Sequence, residues 1–292
     1  MTRVLVTGGN GQVGRSIAEL ASDARFAALD IAVTDRSTVD ITDRAGLNAA
    51  FDRLQPEVVI NAAAFTAVDA AETDEAVAMA ANADGVASLA DLCAAHGARL
   101  LHLSTDYVFD GTKDGWYVES DPIAPLGVYG RTKAAGEAAA RACPAHLILR
   151  TSWVYAAHGN NFVKTMLRIG AERPEVGIVD DQIGCPTRAH DIAESLLHLS
   201  SLDVNGTYHL AGTDQASWYE FAVAIFAAAD LTVTAKPIST ADFPTPAPRP
   251  ANSRLDSSAL ADATGVHLPS WRDSLSGVVS TILDTDQLRT SS

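Results

Sequence analysis

A tyrosine and a lysine four residues apart, Tyr129 and Lys133, could together supply a proton to a reacting carbonyl group. On a helix, residues at this spacing share a face. A free tyrosine is a poor acid at neutral pH, and lowering its pKa by about 3 units requires roughly 4 kcal/mol. One ammonium about 4 Å away, at an effective dielectric constant near 20, supplies an interaction of that size. The pair therefore predicts a carbonyl-reducing site, although most pairs at this spacing are surface neighbours.

Hydroxyl groups at the end of a predicted strand provide a candidate for binding the substrate carbonyl. The apolar run 99–104 ends at Ser104 and is followed by Thr105. Open parallel sheets bind ligands at the carboxyl ends of their strands. We expect Thr105 to hydrogen-bond the carbonyl and the Tyr129 phenol, with Ser104 as the alternative.

Small residues follow the preceding predicted strand, 58–61. They are Ala62, Ala63 and Ala64, and the hydroxyl of Thr66 comes shortly after them. Small side chains would let a cofactor lie close to the backbone. They would equally let a helix pack closely on the sheet, and both interpretations can hold together.

A glycine-rich turn lies between the first predicted strand and the first predicted helix. Its glycines are spaced Gly-x-x-Gly-x-x-Gly, which resembles the turn of short-chain dehydrogenases/reductases. Such a turn lets a pyrophosphate approach the helix N-terminus, where free N–H groups and the dipole favour negative charge. The residues expected to contact the cofactor here are Gly8, Asn10, Gly11, Gln12, Val13 and Gly14.

The end of the second predicted strand should carry the residue that selects the cofactor. Asp35 stands about 20 residues after the turn and would hold the adenosine ribose. Arg36 follows it and could instead contact a 2′-phosphate, so the sequence leaves NADH and NADPH open. Asp40 and Ile41 are placed to flank the adenine, or to begin the next helix.

Strands and helices alternate through the first half of the chain, which predicts an α/β fold with a doubly wound parallel sheet of the Rossmann type. The expected strands are 3–7, 28–34, 58–61, 99–104 and 146–150, and the expected helices are 12–21, 44–54, 72–96 and 128–142. We expect a dinucleotide-binding domain over 1–152 and a smaller, mainly substrate-binding domain over 153–292. Segments around 186–206 should return to the Rossmann core.

Composition and charge exclude several classes of function. The chain has 292 residues and a net charge of −15, which disfavours binding to nucleic acid. Its three cysteines lie far apart and fit a reducing compartment, with neither a disulfide frame nor a metal site. No apolar run approaches membrane-spanning length, so we expect a cytoplasmic protein without membrane association.

Longer motifs resemble the dTDP-4-dehydrorhamnose reductase family over nearly the whole chain. They comprise residues 61–69, 104–111, 150–155, 180–187 and 249–255. The resemblance implies reduction of the C4 ketone of dTDP-4-dehydro-L-rhamnose by NADPH, with NADH also considered. It implies that Tyr129 donates the proton, Lys133 holds the nicotinamide ribose, and Thr105 polarises the carbonyl.

The same resemblance implies further contacts around the substrate. Leu103 would contact the cofactor, while Trp153 and Val68 would pack on the sugar. The proline-rich stretch 243–250 would be a substrate loop, with Arg249 and Arg254 as ligands of the diphosphate. Thr66 and Asp106 complete the expected substrate contacts.

Two other functions use similar motifs. A nucleotide-sugar 4-epimerase would retain its cofactor tightly, whereas a reductase exchanges its cofactor in each turnover. A regulatory subunit of a methionine adenosyltransferase would form a stable complex and show no turnover alone. Dehydratases on this scaffold carry Thr-Asp-Glu, but this chain has Thr105, Asp106 and Tyr107 and so lacks the second carboxylate.

Some members of the family bind Mg²⁺ at a dimer interface through glutamates. The corresponding region of this chain carries Arg15, and the later position, near His190, is likewise not glutamate. We therefore predict a monomer without a bound metal. Size-exclusion chromatography should give the same elution volume with Mg²⁺ and with a chelator, and a dimer that needs Mg²⁺ would contradict the prediction.

Overall fold

The computed structural model describes residues 1–290, and the side chains of residues 1–285. Its strands are β1 (Thr2–Thr7), β2 (Leu29–Val33), β3 (Val58–Asn61), β4 (Arg99–Thr105), β5 (His146–Thr151), β6 (Val154–Tyr155), β7 (Glu175–Val179), β8 (Ile183–Gly184), β9 (Thr187–Arg188), β10 (Gly206–His209), β11 (Ala216–Ser217), β12 (Thr234–Ile238) and β13 (Asn252–Ser253). Its helices are α1 (Gln12–Leu20), α2 (Arg44–Leu54), α3 (Val68–Ala71), α4 (Glu75–Met79), α5 (Gly85–His96), α6 (Val128–Ala140), α7 (Phe162–Glu172), α8 (Ala189–Leu199), α9 (Trp218–Ala228), α10 (Ser258–Thr264) and α11 (Trp271–Thr290).

Six parallel strands form the central sheet in the order β10-β5-β4-β3-β1-β2. Alternate side chains of each strand enter two separate apolar clusters, one on each face. In β1, Val4 and Val6 pack on the side of α1 and α8, whereas Leu5 packs on the side of α2 and α5. The predicted α/β class and the doubly wound parallel sheet are confirmed.

The predicted helix 72–96 is interrupted by a π-helical turn at Ala80–Asp84, between α4 and α5. The buried side chain of Asn82 explains why this turn is stable. Its Oδ1 accepts from the N–H of Phe65, and its Nδ2 donates to the carbonyl of Phe65 and to Thr132 Oγ1. The wider turn therefore connects the loop after β3 to α6, and turns of this kind are frequent at functional sites.

Helices α7, α9 and α11 pack together in the second half of the chain. Their cluster contains Tyr155, Phe221, Ile225 and Trp271, and the pair of strands β7 and β12 lies beside it. Helix α8, over its whole length, and strand β10 instead lie with the six-stranded sheet, β10 pairing with β5. The domain boundary near residue 152 stays a prediction.

A buried ion pair joins α6 to the sheet. Arg150 donates from Nε and Nη2 to the two carboxylate oxygens of Glu137, each at 2.8 Å. Ser104 and Arg141 donate to the same carboxylate. A buried charge that loses its partner typically costs about 3–5 kcal/mol, so this arrangement fixes the position of α6.

None of the helices in the described part of the chain is both long and apolar enough to cross a membrane. The three cysteines, Cys93, Cys143 and Cys185, are all buried and free. They contribute to the core as small apolar side chains.

Candidate active site

The glycine-rich turn brings the backbone of β1, β3 and α1 into close contact. Gly8 has a φ of +79°, and a Cβ atom there would lie 2.5 Å from the backbone nitrogen of Ala63. A Cβ atom on Gly14 would lie 2.3 Å from the carbonyl oxygen of Gly8. No side chain caps the N-terminus of α1, and its first turn has no acidic residue. Its N–H groups are therefore available for a phosphate, and the residues fit a dinucleotide.

A groove of about 540 Å³ extends from this turn along the ends of the strands. It brings together nine of the residues predicted to bind the cofactor: Gly8, Asn10, Gly11, Arg36, Asp40, Ile41, Ala62, Ala63 and Ala64. Arg36 forms an exposed ion pair with Asp40, with 3.0 Å between Nε and Oδ2. The groove thus has an exposed guanidinium on its wall that could bind a 2′-phosphate.

Asp35 lies beside this groove, next to Asn10 on its wall, and its contact with the ribose stays a prediction. Its carboxylate accepts hydrogen bonds from Ser37, Thr38 and Asn10. These bonds, above all those from the Ser37 and Thr38 side chains, lower the pKa of Asp35 to about 2. Asp35 therefore stabilises the turn that carries Arg36.

A second cleft of about 460 Å³ continues from the groove and shares Asn10, Gly11 and Ala62–Ala64 with it. It brings together most of the remaining predicted residues: Gln12, Val13, Thr66, Val68, Leu103, Thr105, Asp106, Tyr129, Lys133 and Trp153. The side chains come from four strand ends and from α6, as expected at the carboxyl edge of a parallel sheet.

The two neighbouring hydroxyls at the end of β4 have different partners. Ser104 Oγ donates to the buried carboxylate of Glu137 at 2.7 Å. Thr105 Oγ1 donates to Asp106 Oδ1 at 2.9 Å, accepts from the N–H of Tyr107, and lies close enough to Tyr129 to lower the pKa of that phenol in part. This arrangement favours Thr105 over Ser104 as the hydroxyl that contacts a substrate.

Burial, rather than Lys133, has the largest effect on the catalytic phenol. It raises the pKa of Tyr129 to about 12, so the phenol is protonated at neutral pH. Lys133 Nζ donates to the carbonyl of Leu103 at 2.6 Å, and burial lowers the pKa of Lys133 to about 8. The electrostatic lowering of the Tyr129 pKa expected from Lys133 is not among the influences on the phenol in this structure.

Asp106 is a buried carboxylic acid with an unused oxygen. It is 3% exposed, and the Ser253 side chain is near enough to lower its pKa in part, but no group among the described residues lies within hydrogen-bond distance of its Oδ2. Burial is the largest influence and raises the pKa of Asp106 to about 6. A buried polar atom without a partner costs free energy, so Oδ2 is suited to accept a hydrogen bond from a substrate hydroxyl.

A stacked pair of tryptophans borders the second cleft, which is called the catalytic cleft from here on because it contains Tyr129 and Lys133. Trp153 and Trp218 lie parallel, with 3.5 Å between ring centroids and 4° between ring planes. Trp153 has a φ of +48°, a conformation that non-glycine residues rarely adopt. A Cβ atom on Gly184 would lie 2.3 Å from the indole of Trp153, so glycine is required there.

A third cavity of about 450 Å³ lies beyond this tryptophan pair. Its walls include Asp69, Tyr107, Phe162, Gln182, Trp218, Phe243 and Arg249. Tyr107 also lines the catalytic cleft, so the two spaces meet at its ring. Arg249 Nη2 donates to both carboxylate oxygens of Asp69, at 2.9 and 2.8 Å, which anchors the proline-rich loop.

Arg254 lies outside the walls of the catalytic cleft and of the third cavity, and its contact with the diphosphate stays a prediction. Its guanidinium donates to the side chains of Asn252 and Gln215. Asn252 in turn donates to the carbonyls of Lys113 and Gly115. Arg254 therefore stabilises the strand β13 next to the site.

Known proteins resemble this chain over nearly its whole length. Residues 1–283 match the family model described as the RmlD substrate binding domain. A dTDP-4-dehydrorhamnose reductase of Aggregatibacter actinomycetemcomitans is 44% identical over 95% of this chain and 98% of its own. The chain belongs to the dTDP-4-dehydrorhamnose reductase family. The resemblance inferred from the sequence motifs is thereby confirmed.

Two solved structures of dTDP-4-dehydrorhamnose reductases have the same fold. The protein of Clostridium acetobutylicum has a TM-score of 0.92 and 38% identity, covering 97% of this chain and 100% of its own. The protein of Bacillus anthracis, in complex with NADP, has a TM-score of 0.89 and 38% identity, covering 94% and 98%.

Several residues of this reductase-family site were not predicted from the sequence. They are Asn82, His102, Tyr107, Gln182 and Trp218. Tyr107 and Gln182 lie inside motifs that were recognised, and could have been found there. Nothing in the sequence distinguishes the other three from ordinary core residues.

Within the described residues no group of three or more His, Cys, Asp and Glu could hold a metal ion, and the predicted lack of a metal stays a prediction.

The raised pKa of Asp106 predicts a pH-dependent stability difference. Because the folded pKa of about 6 exceeds the ordinary value of 3.8, the stability contribution of the acid is complete below pH ~4 and is lost as the pH rises through about 6. Asp106→Asn avoids this loss, so the variant should be more stable than the native protein by up to about 3 kcal/mol at pH 7.5.

Urea denaturation at pH 4.5 and pH 7.5 measures this difference. The advantage of Asp106→Asn should shrink at the lower pH. Asp110→Asn is a control that should lose stability by nearly the same amount at both pH values, because Thr112 and Tyr117 donate to the Asp110 carboxylate and keep its pKa below 3.8. An advantage of Asp106→Asn that stays constant with pH would contradict the assignment.

Proposed function

We propose that this chain catalyses the NADPH-dependent reduction of the C4 ketone of dTDP-4-dehydro-L-rhamnose to dTDP-L-rhamnose, the reaction named for its family. The observation that carries this proposal is the meeting of Tyr129, Thr105 and Lys133 in one cleft that continues from the groove at α1. The nucleotide sugar is a small molecule, and the connected clefts have the dimensions of a site for two such ligands.

The N-terminus of α1 would hold the pyrophosphate of NADPH, and Arg36 its 2′-phosphate. Lys133 would lie at the nicotinamide ribose. When bound, NADPH supplies the hydride for the C4 carbon. Gln12 accepts hydrogen bonds from His158 and Asn161, so the phosphate-binding turn is tied to the second half of the chain.

Proton transfer to the C4 oxygen falls to Tyr129 in this mechanism. Its raised pKa keeps the phenol protonated until a more basic alkoxide forms beside it. The Thr105 hydroxyl would redirect its proton from Asp106 Oδ1 to the same oxygen. Asp106 would accept a hydrogen bond from a sugar hydroxyl through its free Oδ2.

The third cavity would take the nucleotide of the substrate. Phe162, Trp218 and Phe243 offer aromatic faces against which a base can stack. Arg249 would bind the diphosphate and exchange part of its ion pair with Asp69 for this contact. Trp153 and Val68 would pack on the sugar between the two cavities.

The cellular setting follows from the same proposal. We place the reaction in the cytoplasm, where thiols such as the three free cysteines stay reduced. We also propose a monomer, with neither nucleic acid nor membrane as a partner. The chromatography with Mg²⁺ and chelator described above tests the oligomeric state.

Oxidation of NADPH with dTDP-4-dehydro-L-rhamnose, followed spectrophotometrically, tests the proposed reaction. Tyr129→Phe removes only the hydroxyl, so kcat should fall by about 10²- to 10⁴-fold, the usual contribution of a general acid. Binding of NADPH, measured by fluorescence, should be retained.

Tyr107→Phe is the matched control, because its ring lies 5.5 Å from the ring of Tyr129 in the same cleft. It should lose much less activity than Tyr129→Phe. Full activity in Tyr129→Phe would refute the assigned proton donor. A native protein that binds NADPH but does not oxidise it with this substrate would refute the reaction itself.

The position of Arg36 predicts how the chain selects between cofactors. Arg36→Ala should raise the KM for NADPH by about 10- to 100-fold, the value of a hydrogen-bonded charge, and leave the KM for NADH nearly unchanged. Arg15→Ala, an exposed arginine outside both cavities, is the control. Equal changes in the KM for NADPH and for NADH would mean that Arg36 does not bind the 2′-phosphate.

A further inference from the structure

A row of polar side chains crosses the sheet beneath the catalytic cleft. Thr7, Asn61 and His102 stand opposite one another on β1, β3 and β4, since the strand register pairs Thr7 with Asn61 and Asn61 with His102. Each is at most 1% exposed. The interior of a parallel sheet is normally apolar, so three adjacent polar residues there need a physical reason.

The hydrogen bonds of this row have a defined direction. Asn61 Oδ1 accepts from Thr7 Oγ1 at 2.7 Å and from the backbone N–H of Ala63 at 3.2 Å. A backbone N–H can only donate, so the Asn61 oxygen must face it and the amide nitrogen must face His102. That nitrogen lies 3.0 Å from His102 Nδ1. Because an amide nitrogen donates, His102 Nδ1 has to be the acceptor and carries no proton.

The neutral His102 ring then carries its proton on Nε2, which faces Lys133. The distance from Nε2 to Lys133 Nζ is 3.5 Å. An ammonium has only donors, whereas an amine has a lone pair that can accept. Lys133 also donates to the carbonyl of Leu103, which either form of the side chain can do. A donor aimed at Nζ therefore favours the amine.

We propose that Asn61 and His102, with Thr7 and the Ala63 N–H holding the Asn61 oxygen, form a directional hydrogen-bond ladder that presents an N–H donor to Lys133 and favours its neutral form. His102 and Asn61 are positioning residues, because they act through Lys133. The effect of the ladder on Lys133 does not depend on the proposed function.

The other titratable groups around Lys133 are consistent with this arrangement. Burial lowers the pKa of Lys133, and Glu137 one turn later on α6 raises it. The Glu137 charge is shared with Arg150 and Arg141, which limits its influence. Burial and the charge of Lys133 hold the pKa of His102 well below its usual range, so the His102 ring is neutral. Tyr129, which lies on the same face of α6 as Lys133, is also neutral, because burial raises its pKa.

NMR titration of the free protein, without substrate or cofactor, tests the ladder directly. The chain has four lysines, so ¹³C-labelled lysine gives few signals, and Lys133→Met identifies the relevant one. Lys133 should titrate below the other three. In His102→Gln the amide oxygen can turn toward Nζ and accept from the ammonium, so the midpoint should rise by about one pH unit or more.

Two further variants distinguish the direction of the ladder from simple packing. In Asn61→Asp the new carboxylate accepts a hydrogen bond from His102 Nδ1–H, and Nε2 then has a lone pair that faces Lys133. The midpoint of the Lys133 titration should therefore rise. Thr7→Val keeps the shape of the side chain, and the Ala63 N–H still orients Asn61. The midpoint in Thr7→Val should therefore stay unchanged.

The tautomer of His102 is a second test of the ladder, and it is measured in the native protein without a variant or a titration. Long-range ¹⁵N–¹H spectra of the protein with labelled histidine should show the proton on Nε2 of His102. A proton on Nδ1 in the native protein would overturn the proposal, as would an unchanged Lys133 midpoint in a folded His102→Gln. If His102→Gln does not fold, the tautomer in the native protein decides alone. Because no turnover is measured, a failure of the ladder and a failure of the proposed reaction are distinguishable.

Discussion

The carboxylate of Glu137 is buried between α6 and the sheet, where Arg150 holds both of its oxygens. Ser104 donates to the same group, which turns Ser104 toward the core and leaves its neighbour Thr105 at the cleft. A buried charge is tolerated only when its hydrogen bonds are complete, so the pair restricts α6 to one position. Tyr129 and Lys133 are thereby held against the ends of the strands, and the site depends on this constraint.

The position of the clefts follows from the direction of the strands. Parallel strands deliver all their following loops to one edge, and the loops after β1, β3, β4 and β5 form the walls of the catalytic cleft. Close approach of these loops is possible only because Gly8 and Gly14 lack side chains. The groove and the cleft therefore form a continuous space in which a dinucleotide and a sugar can meet.

Local hydrogen bonds give several of the predicted site residues neighbours that the sequence did not reveal. Asp35 stands at the expected distance from the glycine-rich turn, but Ser37 and Thr38 occupy its carboxylate. Arg254 belongs to a recognised motif, yet its guanidinium binds Asn252 and Gln215. A motif identifies a residue that matters, but its spacing does not say whether the side chain faces a ligand or a neighbouring strand.

The sequence by itself determined the fold class and the family and predicted the catalytic pair, because apolar runs, glycine spacing and the Tyr129–Lys133 spacing are local patterns. It did not reveal the π-helical turn at Ala80–Asp84, the stacking of Trp153 on Trp218, or the row from Thr7 to His102. Only the tertiary structure decided these features. Each depends on side chains far apart in the chain, whose contacts arise from the register of the strands and the packing of helices on the sheet.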